Sequence, residues 1–203
     1  KKMFSVGTKI GASITGTADN CECIPREQIN QQFSSKFLLD GEIPFIFLKS
    51  SKEDHIITDR AYIAVRGETA GGMKRITYRV DFQGYPLSNV MFESGGMGLT
   101  DQDCELKFTI ANQNVSIDIR KSDQETGILY YRALTALAIA QARQIQSRQF
   151  YVQSSEKSMI QIAATSDANA AQNRAAQNIS LAATLLEQLS PVSYASVLQT
   201  YIY

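Results

Sequence analysis

The sequence predicts a mainly β fold with added helices, namely a small antiparallel barrel of serial strands closed by one amphipathic helix. Three observations point there. Short stretches of alternating apolar and polar residues recur between Glu42 and Arg120, separated only by turns or glycine-rich loops. That leaves no room for the crossover helices a parallel sheet needs. One helical pattern follows the last of these stretches, and beyond it the composition shifts to Ala, Gln, Asn and Ser.

Each strand has its own signal. Ile43, Phe45 and Phe47 fall on one face of Glu42 to Leu48, with Ile46 and Leu48 on the other. His55-Ile56-Ile57 and Ala61-Tyr62-Ile63-Ala64-Val65 flank the polar turn Thr58-Asp59-Arg60, which is a hairpin signal. After the loop 67–72, Ile76, Tyr78, Val80 and Phe82 alternate with Arg75, Thr77, Arg79 and Asp81. Asn89 to Glu93 makes a fifth strand before Gly95-Gly96-Met97-Gly98. Leu106, Phe108 and Ile110, then Val115, Ile117 and Ile119, give two more around a turn at Asn112-Gln113-Asn114.

The closing helix starts at a cap supplied by Ser122 or Asp123. It carries Ile128, Tyr131, Leu134, Ala138, Ala142 and Ile145 as the stripe that covers an open barrel end, and runs to about Arg148. Upstream, residues 1–24 read as an arm, rich in Gly, Ser and Thr between Gly7 and Asn20. Pro25 then begins a short helix with Ile29, Phe33 and Phe37 at four-residue spacing, ending near Leu39. Residues 25–148 form the barrel domain with this leading helix, and residues 149–203 a helical extension. In that extension Ala171, Ala175, Ile179, Ala182, Leu186 and Leu189 make a seam on a helix from Ser158 to Leu189, stopped by Pro191. The seam suits either a hairpin within the chain or an interface with another copy. Val192 to Tyr203 is an apolar tail with Tyr194, Leu198 and Tyr201 on one side.

Seven antiparallel strands followed by one helix is the order of the pleckstrin-homology superfold. The segments Leu38-Leu39-Asp40-Gly41-Glu42, Ile56 to Ile63 and Gly98 to Lys107 carry a closer likeness: an acidic glycine-containing entry, a Thr-x-Arg turn and a polar run ending in Glu-Leu-Lys. On these the chain resembles the bacterial pleckstrin-homology family of YvbH type, from roughly Gln28 to Ile145. The resemblance implies a seven-stranded PH-like barrel capped by a C-terminal helix, no enzymatic activity, and barrels that pack side by side into rings.

Composition excludes several functions. With 20 basic and 20 acidic residues the chain lacks the basic excess that nucleic acid demands. No stretch approaches the ~20 apolar residues of a membrane-spanning helix. Lys1 to Gly7 is too short and polar for a signal peptide, so a cytoplasmic location is expected. Cys21, Cys23 and Cys104 suit unpaired thiols, because Cys21-Glu22-Cys23 is spaced too tightly for a zinc knuckle. His55 opens a strand and reads as a surface or edge residue rather than a catalytic base. Asp101, Asp103 and Glu105 lack the glycine hinge of a calcium loop, and the glycine cluster at 95–98 lacks the helix and lysine of a phosphate loop. No cofactor or metal is expected.

The functional expectation is a non-enzymatic binding and assembly module, a homo-oligomeric scaffold built through barrel surfaces and the C-terminal helix, with a further protein partner left open. The alternative is a peripheral membrane adaptor that binds anionic lipid weakly through Lys49 and Lys52 in the first strand loop, where Glu53 and Asp54 offset the charge.

Overall fold

The computed structural model describes residues 20–67, 74–94, 103–164 and 167–202. The seven expected strands are present as β2 (Pro44–Lys49), β3 (Glu53–Thr58), β4 (Ala61–Gly67), β5 (Arg75–Asp81), β6 (Ser88–Glu93), β7 (Asp103–Ile110) and β8 (Gln113–Arg120). An eighth, β1 (Glu22–Cys23), precedes them inside the segment expected to be a free arm. The strands form a five-stranded sheet in the order β1-β2-β3-β4-β5 and a three-stranded sheet β6-β7-β8, antiparallel throughout.

The two sheets bury differently, and the sequence shows why. β7 alternates buried and half-buried residues because only one face meets the core. β2 and β4 are continuous apolar runs, and β2 to β4 of the five-stranded sheet are covered on both faces, whereas β5 is largely exposed. Its inner face contributes Phe45, Ile46, Leu48, Ile57, Tyr62 and Ala64 to the main core, and its outer face carries a second cluster of Phe47, Ile56, Ala61, Ile63 and Val65. Ile24, Ile29, Phe37 and Leu38 cover that cluster. The helix expected from Pro25 to Leu39 is broken to do so. It comprises one turn, α1 (Arg26–Ile29), and a separate 3-10 turn, Phe33–Phe37, with Gln32 extended between them.

β1 joins the sheets. Glu22 and Cys23 pair with Lys49 and Leu48 of β2, while Cys21 bridges Ile119 of β8. The Cys21 amide donates to the Asp118 carbonyl at 2.8 Å, and the Arg120 amide to the Cys21 carbonyl at 3.0 Å. Asp123 completes the join. It accepts from the Cys23 amide at 2.8 Å and so anchors β1 to the entry of the long helix, instead of capping that helix.

The turn between β7 and β8 is Ala111-Asn112, one residue earlier than expected, with φ of 50° and 60°. Two positive φ values match the primed turn of a tight hairpin. Asn112 tolerates that region; the Cβ of Ala111 makes it costly.

α2 (Gln124–Ala163) runs well past Arg148, where the sequence reading ended it. Its buried face is Gly127, Tyr130, Ala133, Leu134, Leu137 and Gln141, rotated from the expected stripe. Ile128, Tyr131 and Ala138 are half-buried, and Ala142 and Ile145 are exposed. Small residues decide this phase, since a Cβ on Gly127 would lie 2.9 Å from the Phe92 ring. The helix approaches β6 on the side that has no side chain.

The chain divides into two compact units, one of Lys1–Ala138 with Ser193–Tyr203, the other Ile139–Val192. Within the first, α4 (Ala195–Ile202) returns to the barrel. Tyr194 and Leu198 are buried in the main core, Tyr194 meets Phe82 edge-on, and its amide donates to the Asp59 carbonyl at 2.8 Å. Glu42 to Arg148 is therefore an incomplete barrel.

Within the second unit, the helix expected from Ser158 to Leu189 is two helices, the end of α2 and α3 (Ala168–Gln188). Asp167 caps α3 by accepting from the Asn169 and Ala170 amides. Ala171, Ala175, Asn178, Ala182, Leu185 and Leu189 are half-buried at alternating four- and three-residue steps, as is Leu186, whereas Ile179 is exposed. Asn178 Nδ2 donates to the Ser155 carbonyl of α2 at 3.3 Å, so α3 folds back as a hairpin.

Two outcomes are expected in urea unfolding. Leu198→Ala lowers stability by about 2–5 kcal/mol, the cost of a cavity in a packed core, despite its distance in sequence from the strands. Ala111→Gly raises it by about 0.5–1 kcal/mol by relieving the left-handed backbone.

Candidate functional site

The acidic entry and the Thr-x-Arg turn meet in one cluster. Thr58 Oγ1 accepts from the Arg60 and Ala61 amides at 3.0 and 2.8 Å, closing the β3–β4 turn, and itself donates to Glu42 Oε1. The Leu39 amide donates to Glu42 Oε2 at 2.8 Å. Arg79 of β5 donates to both Glu42 oxygens at 3.0 and 2.9 Å. Burial pushes the Glu42 carboxyl up, but the Arg79, Thr58 and Leu39 donors outweigh it and hold the group below the usual carboxylate range. Asp59, also buried, accepts from the Ile43 amide at 2.8 Å and lies 3.5 Å from Arg60 Nε. These residues order strands.

His55 is fully buried on the central strand β3, not at a surface or edge. Its Nδ1 lies 2.8 Å from the Tyr62 hydroxyl and its Nε2 3.1 Å from Glu53 Oε1, while Arg66 Nε lies 2.9 Å from Glu53 Oε2. Arg66 and Glu53 thus form an ion pair, with the His55 ring against the other Glu53 oxygen. Burial pushes the Glu53 carboxyl up; His55 and Arg66 bring it below its ordinary value. No serine or cysteine nucleophile is hydrogen-bonded to this histidine among the described residues, so the arrangement is a buried polar clasp across β3 and β4. The sequence hid it because Glu53, His55, Tyr62 and Arg66 become neighbours only through strand register.

The three cysteines are free thiols. Burial pushes Cys23 up to about 12, with Asp123 adding to the shift, and pushes Cys21 higher still. Thiols so far from ionisation are poor nucleophiles. Among the described residues no group of three or more His, Cys, Asp or Glu is placed to hold a metal. Glu105 instead accepts from Ser116 and pairs with Lys107 at 2.7 Å; Asp101 and the cluster at 95–98 lie outside the described residues.

The first strand loop is tight. Ser50 Oγ accepts from the Lys52 and Glu53 amides, and the Ser50 amide donates to the Glu53 carbonyl at 2.8 Å. Lys49 Nζ donates to Gln32 Oε1 at 2.6 Å, whereas Lys52 is exposed. The two lysines thus differ in exposure.

The barrel opens on the side opposite β1. β5 and β6 are the outer strands of their sheets, and among the described residues neither has a strand partner on its second side. β5 pairs with β4 without interruption from Ala61↔Asp81 to Gly67↔Arg75. β6 is broken by a register shift between Ser88 and Met91, at Asn89 with φ of 51°. A bulge of this kind blunts an edge. β5 carries no such guard, and Ile76 and Tyr78 are 41% and 42% exposed although they share the face of the core residues Ala64 and Tyr62.

Two antiparallel sheets around one core, stapled along one side, open along the other and covered by α2, define a pleckstrin-homology-like barrel, a class of binding module. Residues 12–138 match the family model described as the bacterial PH domain, and the chain belongs to that family. It is 28% identical over 132 residues to the uncharacterized protein YvbH of Bacillus subtilis (strain 168), covering 64% of each chain. The chain thus spans a little under two thirds of that relative's length. A crystal structure of a PH-domain-containing protein from Exiguobacterium sibiricum 255-15 superposes with a TM-score of 0.81 at 25% identity, covering 91% of this chain and all of that one. No helix among the described residues is long and apolar enough to cross a membrane.

The Glu42 and Arg79 pair predicts a pH dependence. A carboxylate whose folded pKa lies below its unfolded value stabilises the fold fully above the unfolded pKa, and that stability is lost as pH falls through the folded value. Arg79→Leu is expected to cost about 1–3 kcal/mol at pH 7 by leaving Glu42 without its charged donor. It also flattens the loss of stability as pH falls through the ordinary carboxylate range and below it, relative to the parent, checked by urea unfolding at successively lower pH.

Proposed function

We propose that the protein is a non-catalytic assembly module, a homo-oligomeric scaffold that associates through barrel surfaces and its helical extension. The observation that carries this reading is the apolar surface of the second unit. Phe150 and Ile160 on α2 are 66% and 71% exposed, and Ile179 and Leu181 on α3 are 60% exposed each. The facing side of α3, Leu185, Leu186 and Leu189 included, is only half-buried, and the large apolar residues just named lie outside it in water. The seam residues Ala171, Ala175, Ala182, Leu186 and Leu189 hold the hairpin, and Ile179 belongs to the surface offered to another copy. Closed symmetric assembly is the common result of self-complementary surfaces. The tight first loop and the zero formal net charge favour this reading over a lipid-binding one.

A truncation after Arg148 would remove Tyr194 and Leu198 from the core, so point substitutions are the sound test. Light scattering of the full chain at micromolar concentration is expected to show a defined multimer. Phe150→Glu with Ile160→Glu lowers its mass without lowering the melting temperature of the barrel, because neither residue is buried. A monomeric parent chain would overturn the proposal. Co-sedimentation of the full chain with phosphatidylserine vesicles is expected to be negligible at physiological salt; tight binding lost on Lys49→Glu with Lys52→Glu would favour the membrane adaptor.

A further inference from the structure

We infer that the 3-10 turn Phe33–Phe37 and the end of β5 beside it form a docking site for an acidic segment of another protein, one that sets an apolar or aromatic side chain on Phe33 and carboxylates on Lys36 and Arg75. A monomer would carry this site as well as an oligomer, so the inference stands apart from the homo-oligomeric reading above.

The turn is built to hold Phe33 outward. In a 3-10 helix residues three apart eclipse, so Phe33 and Lys36 share one side of the turn and Ser34 and Phe37 another. Ser34 is fully buried with its hydroxyl on the Asp54 carboxylate, and Phe37 packs on the outer cluster of the sheet. Both fix the turn to the barrel. Phe33 meets the Phe37 ring edge-on at 5.8 Å and is nonetheless 50% exposed. A phenyl ring braced in one position with half its surface in water has the character of an interface anchor, because little ordering entropy is left to lose on binding.

Charge gathers on the same ring. The Lys36 ammonium lies 5.3 Å and the Arg75 guanidinium 5.2 Å from the Phe33 centroid. Lys49 Nζ is drawn to the preceding residue by Gln32 Oε1 at 2.6 Å. Against these three cations stands Asp54, buried and 3.6 Å from Arg75. Asp54 positions Arg75 without satisfying it, since the Arg75 side chain is 39% exposed and a guanidinium has more N–H donors than one carboxylate oxygen takes up. Among the described residues no acid lies within ion-pair reach of Lys36. Two cations that converge on one ring repel each other. A carboxylate placed beside both relieves that repulsion and gains charge-assisted hydrogen bonds.

The patch has a direction. Arg75 meets Phe33, and Arg79 holds Glu42, which takes the Leu39 amide, so residues 33–39 run beside β5. Leu39 is 55% exposed at the far end. There Glu42 and Asp81 neutralise Arg79, which leaves the positive charge at the Phe33 end. An extended segment with two apolar residues about 13 Å apart, and acids beside the first, fits this order. A bilayer fits less well. Basic residues near an anionic surface give about 1 kcal/mol each, and three cations offset by Asp54 fall short of stable attachment.

A labelled random copolymer of glutamate and tyrosine is the probe, titrated with the full chain by fluorescence anisotropy at low and physiological salt, beside polyglutamate. The copolymer is expected to bind more tightly than polyglutamate, and salt to weaken it. Phe33→Ala and Lys36→Glu each weaken binding about tenfold or more, while thermal melting shows each variant folded. Lys36→Arg keeps the binding, as does Lys157→Glu, the same change of charge on an exposed residue of the second unit. No copolymer binding at low salt overturns the inference, as does binding that Phe33→Ala and Lys36→Glu leave unchanged, or polyglutamate binding equally tightly. Binding to phosphatidylserine vesicles that is lost on the same two substitutions, with no copolymer bound, assigns the patch to a membrane instead and overturns it too. Light scattering of each variant reads the oligomeric state separately, so failure of this site leaves the homo-oligomeric reading standing.

Discussion

The barrel depends on how two sheets are held together where no hairpin joins them. Residues Cys21 to Cys23 do this, pairing with β2 on one side and with Asp118, Ile119 and Arg120 of β8 on the other. Arg120 and Glu22 add an ion pair at 2.8 Å, and Asp123 ties the Cys23 amide to the start of α2. A short peptide thus fixes the relation between the first sheet, the second sheet and the covering helix. Buried amides need partners, and those of Cys21 and Cys23 find them across the junction, at Asp118 and Asp123. Among the described residues no such staple joins β5 and β6 on the opposite side.

Burial on both faces of the first sheet follows from the same segment. Once Cys21 to Cys23 is in place, Ile24 and Ile29 fall onto the outer face of β2 to β4, and a broken helix serves better there than a continuous one. The sheet interior then contains polar groups that must be satisfied within the protein. Glu42, Asp54 and Asp59 each have donors from elsewhere in the first unit, and the Glu53, His55, Tyr62 and Arg66 clasp spans β3 and β4. The polar residues around Glu42 and Thr58 therefore hold strands together in this chain.

The helical extension has a different logic. α2 leaves the first unit as an ordinary amphipathic helix and enters the second with apolar residues on more than one face. Packing Ala171, Ala175 and Ala182 toward Ser155 and its neighbours brings two backbones close but removes little apolar area from water. Phe150, Ile160, Ile179 and Leu181 remain outside that seam. An extension of this composition gains stability when a further surface covers it.

Strand alternation determined seven strands, their antiparallel order and the helix after them, because a period of two or 3.6 is a local property of the chain. The likeness to the bacterial PH domain was legible in the turn residues around Glu42 and Thr58-Asp59-Arg60, which now appear as one hydrogen-bonded cluster. The return of Tyr194 and Leu198 to the core and the staple at Cys21 to Cys23 were not legible. Each depends on partners about a hundred residues away, and a two-residue strand leaves no period to read. The phase of α2 was misread for a related reason. Large residues at helical spacing suggested Ile128, Tyr131 and Ile145, but Phe92 and Ile119 lie where only Gly127 lets the helix approach. His55 looked peripheral because it seemed to open its strand, and it is central because β3 begins at Glu53 and pairs with β2 and β4 on either side. Local pattern set which segments are strands and helices; tertiary packing decided which faces are buried, since that depends on what each face meets.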